Sequence, residues 1–273
     1  MSRELSLIGV FDSGVGGLTV VKELQKAIPG VDIVYLGDTA RVPYGSKSKE
    51  TVERYALSCM AFLKSKGAEM VLVACNTASA NALPALESQE DIPVIGAVKP
   101  GAMAAARMTG SNQIAVIGTL STIESGAYTK ELKSINSEIQ VYSKACPLLV
   151  PLVEEGWLNH HITLDVAKTY LAPIFEKHPD IDCLVLGCTH YPLLKSTIQK
   201  ALSELGVGAV NVVDSAATMA ELTQKISKPS PSKSQGQLEI YVTDSTRIQS
   251  VGAQFLGKAL EHFELVDLQT TTA

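Results

Sequence analysis

The sequence predicts an α/β protein made of two similar units with mainly parallel sheets. Three observations point there. Short apolar runs rich in Val and Ile alternate with longer segments of helical period along most of the chain, the pattern left by strands joined through crossover helices. Strand-to-turn signatures also recur in the same order: IGVFDSG at 8 to 14 is echoed by IAVIGTLS at 114 to 121, and MVLVACNTAS by CLVLGCTHYP. Two such echoes are what a duplicated unit leaves, although a generic strand-turn-helix habit also produces short matches. The length of 273 residues suits one large or two modest domains.

In chain order, the first strand is read at 6 to 11, so close to the beginning of MSRELSLIGV that no signal peptide is expected. It runs into the glycine-rich turn FDSGVGGLTVV at 11 to 21. A strand at 32 to 37 leads into DTARVPYGSKS, where Pro43, Tyr44 and Gly45 make a turn before a helix at 47 to 66. The strand at 70 to 75 ends on Cys75 and hands over to a helix at 77 to 88. Strands follow at 93 to 97, 113 to 118 and 139 to 145, then a helix at 161 to 177 and a strand at 182 to 187 just before Cys188. A strand at 209 to 213, a helix at 215 to 227 and a strand at 238 to 243 complete the pattern. One segment, SKPSPSKSQGQ at 227 to 237, lacks an apolar face and reads as an exposed turn.

Composition narrows the function. Hydrophobic residues make up 46%, aromatics only 5%, and the net charge is -5, which leaves no basic footprint for a nucleic-acid partner. No run approaches the roughly 18 apolar residues of a membrane span. Five cysteines, an odd number without a regular framework, suit a reducing cytoplasm in which thiols stay free.

The chemistry concentrates at Cys75 and Cys188, each at the carboxyl end of an apolar strand. Ligands of open α/β sheets bind outside those strand ends, so two thiols there can face one pocket from opposite sides. A thiol has a free pKa of about 8.5 and needs help to become a base near neutrality. Asn76 and Thr77 follow the first cysteine, Thr189 and His190 the second, and each pair opens a segment whose backbone N–H groups favour negative charge. Asp12, Glu154 and His190 are the candidate proton shuttles. Thr119 and Thr122 occupy the matching rim of the second unit, where their hydroxyls can bind a side-chain carboxylate or cap a helix. A lone strand-end cysteine is more often a small buried hydrophobe; two with matched polar sequels favour chemistry.

Two other readings are available. The turn at 11 to 21, with Asp38 ending the next strand, invites a dinucleotide site. Gly14, Gly16 and Thr19 break G-x-G-x-x-G at its third position, however, and Asp12 puts a carboxylate where pyrophosphate would sit. A backbone nest beside a carboxylate, gripping an amino acid, fits better. Cys75, Cys188 and His190 are acceptable zinc ligands, but no C-x-x-C or H-x-x-x-H pair supports them and no fourth ligand is evident.

Taken together, FDSGVGG, DTARVPYG, VACNTAS, VIGTLST, LVEEG and LGCTHYPLL resemble the glutamate racemase family from near residue 7 to about 220. The resemblance implies two α/β domains facing one another across the site, residues 1 to 97 with 212 to 273 forming one and 98 to 211 the other. It implies a racemase that needs no cofactor or metal and interconverts L- and D-glutamate for bacterial peptidoglycan. Matched by motif, Cys75 and Cys188 are the two acid/base thiols, and Asp12, Glu154 and His190 assist them. Asp12, Ser13, Tyr44, Gly45, Asn76, Thr77, Thr189 and His190 are the implied substrate contacts. Some relatives respond to a cell-wall precursor through a longer N-terminal extension, and control of that kind is not expected here. A homodimer is the expected assembly. The competing readings are aspartate racemase or another two-thiol epimerase, and an amino-acid-binding module whose thiols only bind or sense.

Overall fold

The computed structural model describes residues 3 to 89, 91 to 229, 234 to 246 and 248 to 268. Twelve strands are formed among them: β1 (Arg3–Leu5), β2 (Leu7–Asp12), β3 (Asp32–Gly37), β4 (Met70–Val73), β5 (Val94–Gly96), β6 (Gln113–Gly118), β7 (Gln140–Ala145), β8 (Cys183–Gly187), β9 (Asn211–Asp214), β10 (Ser227–Pro229), β11 (Leu238–Val242) and β12 (Glu264–Leu265). The helices are α1 (Leu18–Ala27), α2 (Lys49–Ser65), α3 (Asn76–Gln89), α4 (Val98–Met108), α5 (Leu120–Glu124), α6 (Ala127–Ile135), α7 (Leu149–Glu154), α8 (His161–Lys177), α9 (Lys195–Glu204), α10 (Ser215–Ile226) and α11 (Ile248–Leu256). All nine strands and all four helices expected from the sequence are present.

The strands form two main sheets, ordered β12-β11-β3-β2-β4-β5 and β7-β6-β8-β9, with a separate β1-β10 pair. Every pairing among the described residues is parallel. The run β3-β2-β4-β5 in one sheet and β7-β6-β8-β9 in the other have the same order: second, first, third, fourth. That shared topology is the physical counterpart of the two sequence echoes. In each unit the order reverses between the first and third strands, and such a switch point opens a crevice at the carboxyl ends of the strands. Asp12 and Cys75 lie on the rim of the first crevice, Thr119 and Cys188 on that of the second.

The strands are buried on both faces, as parallel sheets require. Alternate residues serve different cores: Ala115 and Ile117 of β6 and Leu184 and Leu186 of β8 join one cluster, while Ile114, Val116, Cys183 and Val185 join another. The first of these clusters also contains Ile8 and Val10 of β2 and Leu18 and Leu24 of α1, so one apolar core runs continuously through both lobes. Helix α10 packs on both α1 and α4 and so touches each lobe. Its start is fixed by Asp214, whose carboxylate accepts from the Ala216 amide at 2.8 Å. Helix α2 is capped in the same way by Ser48, which accepts from Thr51 N at 3.4 Å.

One expectation is corrected. Residues 227 to 237 are not wholly an exposed turn, because Ser227–Pro229 form β10 alongside β1, with Arg3 opposite Ser227. The proline sits at the last position of a two-stranded pair, where a missing donor is tolerated. Residues 230 to 233 of that segment lie outside the described residues.

Candidate active site

The glycine-rich turn after β2 folds back under its own carboxylate. Asp12 is fully buried and accepts from the Gly14 amide at 3.1 Å. The nest is therefore occupied by the chain's own carboxylate rather than open for phosphate. Burial raises the pKa of Asp12, against the charge of His190 and hydrogen bonds from Gly17, Gly14 and Thr189. Asp38, the acid a ribose would need, is buried too. It is held by Arg41 Nε at 2.6 Å, by the Tyr44 hydroxyl and by Thr243 Oγ1 at 3.1 Å. Both features weigh against a dinucleotide.

Cys75 lies two residues beyond β4, at the threshold of α3, and is 5% exposed. Its Sγ donates to Ser13 Oγ at 3.5 Å and accepts from the Ala78 amide, in the first turn of α3, at the same distance. Burial and the neighbouring Asp12 carboxylate push this thiol up to about 12, against the hydrogen bonds from Ser13 and Ala78. Cys75 thus holds its proton in the free protein.

Cys188 follows β8 and is 6% exposed. Its Sγ lies 3.9 Å from His190 Nδ1, and His190 Nε2 lies 3.1 Å from Glu154 Oε1, at the end of α7. Thiol, imidazole and carboxylate form a line. Burial disfavours the imidazolium, but hydrogen bonds and charge from Cys188 and Glu154 outweigh it and hold His190 at about 10. The ring is fixed edge-on by Phe255 of α11, with centroids 4.9 Å apart.

This raised pKa has a measurable consequence. The folded protein keeps the His190 proton up to about pH 10, whereas an unperturbed imidazole releases it near 6.5. Its contribution to stability is fully present below about pH 6.5 and is lost as pH rises through the folded value. The thermal midpoint of the parent should therefore exceed that of His190→Asn most near pH 6.5, and the gap should close toward pH 10. A gap that stays constant or widens with pH contradicts the assignment.

The lobes meet around these groups. Thr189 Oγ1 donates to Asp12 Oδ1 at 3.4 Å, and Thr19 Oγ1 lies 3.4 Å from the Thr189 carbonyl. Gly16 passes so close that an added Cβ would stand 2.3 Å from Thr189 Oγ1 and 2.8 Å from His190 Nδ1. A side chain there would displace Thr189 and His190. Thr77 of α3 contacts Thr119 Oγ1 at 2.9 Å and Thr122 Oγ1 at 3.2 Å, and the last two are 2.9 Å apart. Thr119 also caps α5 through the Thr122 amide at 3.3 Å; its cap and rim readings describe one geometry. A Cβ on Gly45 would stand 2.8 Å from that of Thr119, so the backbone of this turn presses on the hydroxyl cluster.

The structure thus brings Asp12, Ser13, Cys75, Asn76, Thr77, Thr119, Thr122, Cys188, Thr189, His190 and Glu154 into one connected region with Gly45 at its edge. Tyr44 differs: its hydroxyl turns away to Asp38, and its ring packs in the first-lobe core. Only its backbone is left for a ligand. Sequence reasoning assigned no contact at the site to Gly16, Thr19, Tyr128, Ser215 or Phe255. Gly16 and Thr19 stood in a turn already singled out, whereas nothing in the sequence marks the other three. A groove of about 460 Å³ lined by Asp38, Arg41, Thr243 and Leu265 to Leu268 lies elsewhere and carries neither rim thiol. Among the described residues, no group of three or more His, Cys, Asp or Glu side chains is arranged to hold a metal ion.

Comparison with known proteins agrees with this fold. The family profile described as Asp/Glu/Hydantoin racemase matches residues 8–249. A glutamate racemase of Geobacter metallireducens is 48% identical over 267 residues, covering 96% of this chain and 97% of that protein. The crystal structure of glutamate racemase from Francisella tularensis in complex with D-glutamate superposes with a TM-score of 0.86 at 36% identity, covering 98% of each chain. A glutamate racemase isoform from Bacillus anthracis gives a TM-score of 0.89 at 38% identity, covering 97% of this chain and 99% of that one.

Proposed function

Since the chain belongs to the Asp/Glu/hydantoin racemase family and is an amino-acid racemase, we propose that it interconverts L- and D-glutamate by passing a proton between two cysteines. One cysteine, as thiolate, removes the α-proton; the other, as thiol, gives a proton to the opposite face of the planar intermediate. The two exchange roles with direction. The observation that carries this reading is the repeated topology, which sets one thiol beyond the third strand of each unit, with Asp12 and Thr189 hydrogen-bonded across the junction.

The two thiols have different surroundings. Cys75 retains its proton beside Ser13 and is the ready acid. Cys188 stands next to a cationic imidazole anchored by Glu154, which is the charge a thiolate needs. Asp12, buried beside the nest, suits the substrate ammonium, and the Thr77, Thr119 and Thr122 hydroxyls suit its side-chain carboxylate. Ser13, Gly45, the Tyr44 backbone, Asn76, Thr189 and His190 complete the proposed contacts. No step calls on a metal or organic cofactor.

The same reading divides the chain into a domain of residues 1 to 97 plus 212 to 273 and one of 98 to 211. Because β9 pairs with β8, the proposed return crossing moves from residue 211 to just after Asp214. The proposed setting is cytoplasmic, in a homodimer supplying D-glutamate to peptidoglycan synthesis. Among the described residues no helix is long and apolar enough to cross a membrane.

The test is formation of D-glutamate from L-glutamate by protein exhaustively treated with chelator. The reaction should run to a racemate, because enantiomers have equal free energy in water. Aspartate, one methylene shorter, should turn over roughly 10- to 200-fold more slowly. Faster turnover of aspartate would make it the substrate; binding of glutamate without any α-hydrogen exchange would mark a binding module.

A further inference from the structure

Tyr128, at the start of α6, touches the approaches to both thiols. Its hydroxyl donates to Asn76 Oδ1 at 2.7 Å, and Asn76 is the residue after Cys75. Its ring lies against Gly187, the residue before Cys188; a Cβ there would stand 3.1 Å from Tyr128 Cε2. On the α4 side, Gly101 is equally close: a Cβ would stand 3.2 Å from the hydroxyl oxygen. Two glycines therefore leave just the width of this ring. The tyrosine is 2% exposed, and burial together with the neighbouring Cys188 sulfur pushes its pKa up, so it remains a neutral donor. Asn76 passes the tie onward, donating from Nδ2 to Ser215 Oγ of α10 at 3.3 Å.

We propose that Tyr128 is a positioning residue which sets the separation of Cys75 and Cys188, acting as a rigid spacer between the strand end that carries one thiol and the helix start that carries the other. The inference rests on the racemase reading for its kinetic consequence, but not for its geometry. A phenol ring has no internal rotor along its length, so with one edge on Gly187 and its hydroxyl on Asn76 it transmits a fixed distance. A proton transfer to and from one carbon needs both sulfurs within a narrow range of it, and small displacements slow such steps steeply.

Tyr128→Phe keeps the ring and removes the tie. It should lower kcat in both directions by about tenfold and raise the isotope effect with α-deuterated L- and D-glutamate alike, since proton transfer becomes more limiting. The thermal midpoint should fall by only a few degrees. A readout independent of turnover is the alkylation rate of each cysteine by iodoacetamide, followed by peptide mass spectrometry. Both Cys75 and Cys188 should react several-fold faster in the variant. Gly101→Ala, whose methyl group would press on the hydroxyl without removing it, should move the same quantities in the same direction. Parent-like kcat, isotope effects and alkylation rates would overturn the proposal, as would a loss of activity that tracks the folded fraction with isotope effects unchanged. A parent protein that does not racemise glutamate would refute the racemase reading, and the spacer would then stand or fall on the alkylation rates.

Discussion

Replacing either Cys75 or Cys188 with Ala should reduce racemisation by at least about 10³-fold, near the upper part of the range for a lost acid/base group. Each thiol is the sole proton carrier proposed on its face of the substrate, so its partner cannot substitute for it. The fold should survive, because each cysteine sits at the edge of its apolar cluster beside Ser13 or His190 and losing one sulfur leaves only a small cavity. Cys146 and Cys183 provide the control. Both are fully buried; Cys183 opens β8 within the second-lobe core, and the Cys146 thiol lies 3.6 Å from the Lys144 carbonyl. Their Ala variants should lose some stability and keep turnover near the parent value. Polarimetric rates for the four variants, each normalised to folded protein, check this. Near-normal racemisation by either rim variant would remove that cysteine from the mechanism.

Much of this arrangement was legible in the sequence because parallel strands are read easily. Runs such as MVLV and CLVLG are buried on both faces and need no partner-dependent pattern to be recognised. The echo of IGVFDSG in IAVIGTLS carried the duplicated topology, and with it the placing of Asp12 and Thr119 at matching strand ends. What escaped depended on contacts between distant segments. The β1-β10 pair joins residues 3 to 5 with 227 to 229 as a parallel ladder, and a Pro-containing segment gives no local hint of that. The direction of the Tyr44 side chain is decided by Asp38 and Cys59, not by the turn that carries it. Gly16 was read as part of a nest, whereas its lack of a side chain is used by Thr189 and His190, more than 170 residues away in sequence. Tyr128 sits in an ordinary amphipathic helix, so no pattern distinguishes it from a core aromatic.

The central claim, two thiols acting on opposite faces, is tested most directly by racemising a single enantiomer in D2O and reading deuterium in both pools at early conversion. The acid that delivers to the product face has exchanged with solvent before substrate binds, while the base that removed the proton still holds it. Inversion therefore installs deuterium, and return to substrate restores the original hydrogen. Starting from L-glutamate and separately from D-glutamate, almost every product molecule should carry deuterium at the α-carbon while the remaining substrate stays protiated. Deuterium entering the recovered substrate as fast as product forms, in either direction, would show a single exchanging base and contradict the two-thiol account.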